Sequence, residues 1–181
     1  MTRITTILFA LSLGGLLAAQ AAPQAAPPAP PAGVAAEAKT AYTGIKNNLT
    51  KMADKMSEEN YAFKATPEIR TFGALMAHIA DAQTMYCSMA AGEMKRNDSS
   101  AKTSKADIVA ALKASFDTCD AVFDKLTDAS AAEGVRAGRG GQRTRLSVLW
   151  GMIAHSNEEY GYGSIYLRLK GVIPPSSEPR N

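Results

Sequence analysis

Apolar residues return every three or four positions in four separate stretches of this chain, and no stretch sustains a period of two. Tyr42, Ile45, Leu49, Met52 and Met56 trace an a/d seam over two heptads in a first segment, about residues 35–57. In a second, about 68–92, Phe72, Leu75, Ile79, Ala82, Tyr86 and Met89 repeat it after Thr66-Pro67, a cap-then-proline opening. Leu112, Phe116, Cys119, Phe123 and Leu126 form a third seam behind the capping box Ser104-Lys-Ala-Asp107, in which Asp is a weaker partner than Glu. A fourth runs from about Thr144 to Lys170 and stops at Gly171, a left-handed cap, with Pro174-Pro175 beyond. Four amphipathic helices and no strands predict an all-α protein, a four-helix bundle.

The segment before these helices has a different character. Met1-Thr-Arg3 is followed by an apolar run, Ile4 to Ala18, and by Ala19-Gln-Ala21, the small-x-small pattern of a signal-peptidase site. The run is shorter than the roughly 20 residues of a membrane span, which predicts export with cleavage near Ala21 and no stable membrane span afterwards, a retained anchor being the alternative. Residues 22–34 form an Ala/Pro-rich linker, 35–176 the bundle and 177–181 a tail. The formal charge of the whole chain is +3; without residues 1–21, whose one charged side chain is Arg3, it is +2. So mild a balance argues against nucleic acid or an acidic membrane as partner.

Cys87 and Cys119 are the two cysteines. In an exported, periplasmic or extracellular protein a disulfide between them is the better reading, and two unpaired core thiols are the alternative. Such a bridge closes about 32 residues and contributes on the order of 3 kcal/mol. The connection from Asp128 to Arg143 carries Arg136, Arg139 and Arg143 among glycines. It is only superficially like an RGG-type RNA segment and reads as a flexible basic loop. Walker-type glycine motifs and the paired Glu-x-x-His motifs of di-metal carboxylate bundles are absent from the sequence.

The chemistry rests on the two histidines, His78 and His155, each on an apolar stripe. Glu159 follows His155 by four residues, so a helix sets the two on one face, and a second helix can bring His78 to them. Val148, Met152, Tyr162 and Tyr166 are on the same side, which turns His155 and Glu159 inward or into a cleft. A buried carboxylate needs a partner: two His and one Glu can take a divalent metal, and a neutral histidine donating to Glu159 is the structural alternative. Glu158, three residues from His155, is a second carboxylate with a poorer angle. Asp81, one turn after His78, is a weak candidate for a catalytic base or an imidazole-orienting acceptor, or else a helix-face carboxylate paired with a neighbouring Lys or Arg. Tyr160, Tyr162 and Trp150 either line the pocket or belong to the core.

Two segments carry a family resemblance. Gly161 to Ser176, Gly-Tyr-Gly-Ser-Ile-Tyr-Leu-Arg-Leu-Lys-Gly-Val-Ile-Pro-Pro-Ser, and Phe72 to Asp81, Phe-Gly-Ala-Leu-Met-Ala-His-Ile-Ala-Asp, resemble the DinB-like (DinB/YfiT) superfamily over about residues 36–176. The resemblance implies an up-down-down-up bundle, often a homodimer, with a metal held by three histidines, one on helix two and a His-x-x-x-His pair on helix four. Carried over, His78 and His155 match the first two ligands, and Glu159 stands where the family pattern has the third histidine. A carboxylate there suits zinc or ferrous iron and should favour a harder cation; nickel and manganese remain candidates.

Some members of the family are metal-dependent thiol transferases or hydrolases, so one implied function is an exported metalloenzyme acting on a small molecule. The other is a non-catalytic envelope binding module or scaffold whose metal site is degenerate. The thiol transferases act on cytosolic thiols, which an envelope protein does not meet.

Overall fold

The computed structural model describes residues 33–138 and 141–179. The signal-like segment 1–21, most of the linker and Arg139 lie outside the described residues. Four long helices carry the fold: α1 (Val34–Lys55), α2 (Phe72–Ala90), α3 (Lys105–Phe123) and α5 (Arg145–Leu169), with a single turn, α4 (Asp128–Ala131), before the last. Each seam read from the sequence is buried, save that Tyr86 and Leu126 are half-buried.

The helix ends follow the local chemistry. α2 begins at Phe72, later than the start expected after Pro67, because the Thr71 hydroxyl accepts the Ala74 N–H at 3.1 Å. Pro67 stays in an irregular segment whose end is tied by the Phe72 N–H to the Phe63 carbonyl. At α3 the Ser104 hydroxyl accepts the Asp107 N–H, while the Asp107 carboxylate accepts from the Ser104 hydroxyl itself. Half of the expected capping box is formed. Gly171 closes α5 with φ +71°, and the Val172 and Gly171 N–H groups bond the carbonyls of Leu167 and Arg168. This is the double bond of a Schellman cap, reached at a backbone conformation that glycine adopts without strain.

The expectation of no strands is corrected. β1 (Gly134–Ala137) and β2 (Gly141–Thr144) pair antiparallel, in register from Gly134 with Thr144 to Ala137 with Gly141. Four residues are too few to register as alternation, and Val135 alone of the eight is buried. The stretch read as a flexible basic loop is therefore an α4 turn and a hairpin, joined to α5 by the Arg145–Glu133 ion pair at 2.8 Å.

Side-chain contacts fix the helix neighbours. The start of α1 meets the end of α3, where the Tyr42 and Phe123 rings stack at 4.2 Å. At its other end Lys105 donates to the Asp54 and Met56 carbonyls. Gly73 lies against Ile108 near the starts of α2 and α3, and near their ends Cys87 and Cys119 form the disulfide, with Cα atoms 5.1 Å apart. Along the α2–α5 seam Tyr86 meets Gly151, and the Tyr166 hydroxyl donates to the Arg70 carbonyl. Gly163 leaves no room for a Cβ against Met52, so α1 and α5 approach closely there. Among the described residues no helix is long and apolar enough to cross a membrane.

Candidate metal centre

α2 and α5 bring His78, His155 and Glu159 together. His78 Nε2 lies 3.5 Å and His155 Nδ1 3.8 Å from Glu159 Oε1, and one donor atom from each residue lies within 4.8 Å of the others. The two imidazoles meet edge to face with centroids 5.2 Å apart. Both histidines are half-buried, whereas Glu159 is 6% exposed.

The carboxylate is the informative member. Neither imidazole forms a hydrogen bond with it, and Glu159 Oε2 is buried with no hydrogen-bond partner among the described residues. A carboxylate oxygen withdrawn from water and left bare is costly. Donors about 2.0–2.2 Å from a tetrahedral ion stand about 3.3–3.6 Å from one another, close to the separations from Glu159 here. Burial, and then the Arg70 guanidinium, hold His78 below the usual histidine range, against the opposing pull of Glu159. The imidazole thus keeps its lone pair free at neutral pH. The residues present fit a divalent cation, and a His/His/Glu cluster that can hold one is what the fold assembles.

Two cavities flank the cluster. One, of about 560 Å³, is lined by Glu159 together with Arg70, Leu75, Tyr162, Ile165 and Tyr166. The other, of about 400 Å³, takes His78 and His155 with Asp81, Tyr86, Arg96 and Asn97. The cluster forms part of the wall of each.

The other candidates fall out differently. Asp81 lines the second cavity, but its Oδ1 accepts the Ser99 N–H at 2.9 Å, and it pairs with no Lys or Arg among the described residues. Glu158 points to solvent and accepts from the Tyr162 hydroxyl at 3.0 Å, away from the cluster. Tyr162, expected on the inward side, is 49% exposed and stands at the first cavity's rim. Trp150 is neither core nor pocket; it lies on the surface, 42% exposed. Tyr160 is buried and holds the C-terminal segment, donating to the Ser176 hydroxyl and accepting the Ser176 N–H. Arg70 was not singled out from the sequence, because a lone arginine in an irregular segment carries no periodic signal.

The structure is similar to solved DinB-like proteins. One from Bacillus cereus ATCC 10987 superposes with a TM-score of 0.66 at 20% identity, covering 76% of this chain and 93% of that one. Another, from Bacillus subtilis, gives 0.65 at 17% identity, covering 80% and 99%. A conserved protein from Enterococcus faecalis gives 0.60 at 14% identity, covering 77% and 98%. At these identities the likeness concerns the fold. No curated protein matches the chain. The model of the DinB superfamily matches residues 41–162, more than half of the sequence and the stretch that contains all three members of the cluster. This chain belongs to the DinB superfamily.

Proposed function

We propose that this protein is an exported, divalent-metal-binding member of its family, with His78, His155 and Glu159 as ligands and water-dependent hydrolysis of a small molecule as its chemistry. The buried Glu159 carboxylate, with Oε1 beside two imidazoles and Oε2 bare, carries the reading. Zinc, nickel, manganese and ferrous iron are the candidate ions, and the anionic ligand favours the harder of them. A metal bound there supplies Lewis acidity and lowers the pKa of water, which provides a nucleophile at neutral pH.

The chain's own residues do the rest. α5 fixes His155 and Glu159 one turn apart, and α2 supplies His78 across the seam. Burial, and after it Arg70, favours the neutral form of His78, and Leu75 and Ile165 give a bound substrate apolar surface to lie against. Asp81 lies on the polar side with His78 and His155, placed to accept a proton through solvent, although Ser99 occupies one of its oxygens. That engagement favours the second reading, a binding module with no general base.

An up-down-down-up helix order belongs to the same proposal. Gly73–Ile108 and Cys87–Cys119 support parallel α2 and α3, and Lys105 at the end of α1 supports antiparallel α1 and α3. The disulfide supports an oxidising compartment, and with it export by the segment 1–21. A bundle domain of 35–176 that pairs as a homodimer completes the reading.

The test is metal content, by plasma mass spectrometry, of the mature protein purified without a His-tag or chelator, alongside His155→Ala and Glu159→Ala. About one ion per chain, lost in both variants, is expected. No ion after reconstitution with all four metals would overturn the proposal.

A further inference from the structure

The cavity on the Glu159 side has one positive charge in its lining. Arg70 stands in its wall, and its guanidinium makes no ion pair and no hydrogen bond among the described residues. The residue is held in place through its backbone, whose carbonyl accepts the Tyr166 hydroxyl at 2.5 Å. Tyr166 is itself buried against Phe72 and Phe63, so this tether is anchored in packed aromatic rings. Glu68, the other carboxylate on this wall, is exposed and does not pair with Arg70; hydrogen bonding to backbone and to Thr66 holds it below the usual carboxylate range.

Apart from Glu159 and the two tyrosines, Tyr162 and Tyr166, the rest of the wall is apolar. Leu75 forms the buried side, and Ile69 and Ile165 line the chamber while remaining about half exposed, at 40% and 55%. Exposed isoleucines facing an open chamber are surface that an apolar ligand would cover. A volume of about 560 Å³ suits a small molecule. An arginine with all its donors free recognises a carboxylate by two parallel hydrogen bonds, a geometry that neither an alcohol nor an ammonium group can complete.

We infer that this chamber binds a free amphipathic carboxylate, its anionic group on Arg70 and its hydrocarbon body against Leu75 and Ile165, beside Glu159. That the bound molecule is a substrate rests on the metal-centre reading; that it binds does not.

Isothermal titration of the mature protein with octanoate, octanol and octylammonium tests it. Octanoate is expected to bind, with octylammonium at least about tenfold weaker and octanol in between. Arg70→Gln should weaken octanoate about tenfold and leave octanol unchanged, with Arg70→Lys recovering part of the loss. Ile165→Asp, at an exposed position, should abolish octanoate binding without loss of helicity. His155→Ala should retain it, which separates this proposal from the metal proposal. Octanoate binding that survives Arg70→Gln undiminished, equal binding of octylammonium, or loss of binding in His155→Ala would each overturn the inference.

Discussion

Asp128, the first residue of α4, caps α1 from across the chain: its Oδ1 accepts the Ala35 N–H at 2.9 Å. The residue at the N-cap position, Gly33, offers no side chain for that purpose, and a Cβ on it would collide with the Asp128 carboxylate. α1 thus starts where α4 permits.

Asp128→Ala should lower unfolding stability by about 1 kcal/mol, the usual loss for a helix N-cap. At this chain length it appears as a drop of about 2–4 °C in melting temperature. Gly33→Ala should cost a similar amount by displacing the same carboxylate. An unchanged urea midpoint in both variants would mean that the cap contributes nothing.

Replacing Cys87 and Cys119 together with alanine should destabilise by about 3 kcal/mol, from the added freedom of the unfolded chain. The check is chemical denaturation, with and without reductant. Reductant should shift the wild-type midpoint and leave the double variant unmoved.

The charge on His78 should follow its neighbours. Burial and Arg70 depress its pKa and Glu159 raises it. In metal-free protein followed by proton NMR, Arg70→Gln should therefore move the His78 titration up and Glu159→Gln should move it down. A folded pKa below the unfolded one means that the unfolded chain binds the extra proton. The stability held by neutral His78 is present above the unfolded histidine pKa, and it falls as pH drops below that value. Movements of the opposite sign would remove Arg70 from the neighbourhood of the site.

Asp120 should account for part of the acid sensitivity. Its burial alone would raise the carboxyl, but hydrogen bonds from Lys46 and Tyr42 outweigh it and hold the pKa below the usual range. A depressed carboxyl contributes stability above its unfolded pKa and loses it as pH falls through the folded one. Asp120→Asn should cost about 1 kcal/mol at pH 7, a figure kept low because the pair is part exposed, and less as pH falls through the folded pKa of Asp120.

What the sequence made legible was what repeats or what is chemically singular. The seams of α1, α2, α3 and α5 are periodic over several turns, so burial follows from spacing. His78, His155 and Glu159 stood out because the chain has two histidines and the i,i+4 spacing has one geometric meaning. The hairpin escaped because Val135 is the one side chain in it that reports an inside. Arg70 and the exposure of Trp150 escaped for a related reason: each depends on which neighbour covers a face, and tertiary packing decides that. Thr71 won over Pro67 as the start of α2 because a hydroxyl that accepts the third N–H satisfies a group that a proline merely lacks.

The bond between Cys87 and Cys119 also sets an order of events. It ties α3 to α2, and the His/His/Glu cluster lies where α2 meets α5, so α2 takes part in both. α1 contains no cysteine and no member of the cluster, and it is held by packing, capping, hydrogen bonds and ion pairs. The expected first sub-global opening of such a molecule is the departure of α1, checked by hydrogen exchange fastest along its backbone. A three-helix remainder, its α2 and α3 tethered by the disulfide, would outlast it with His78 still facing His155.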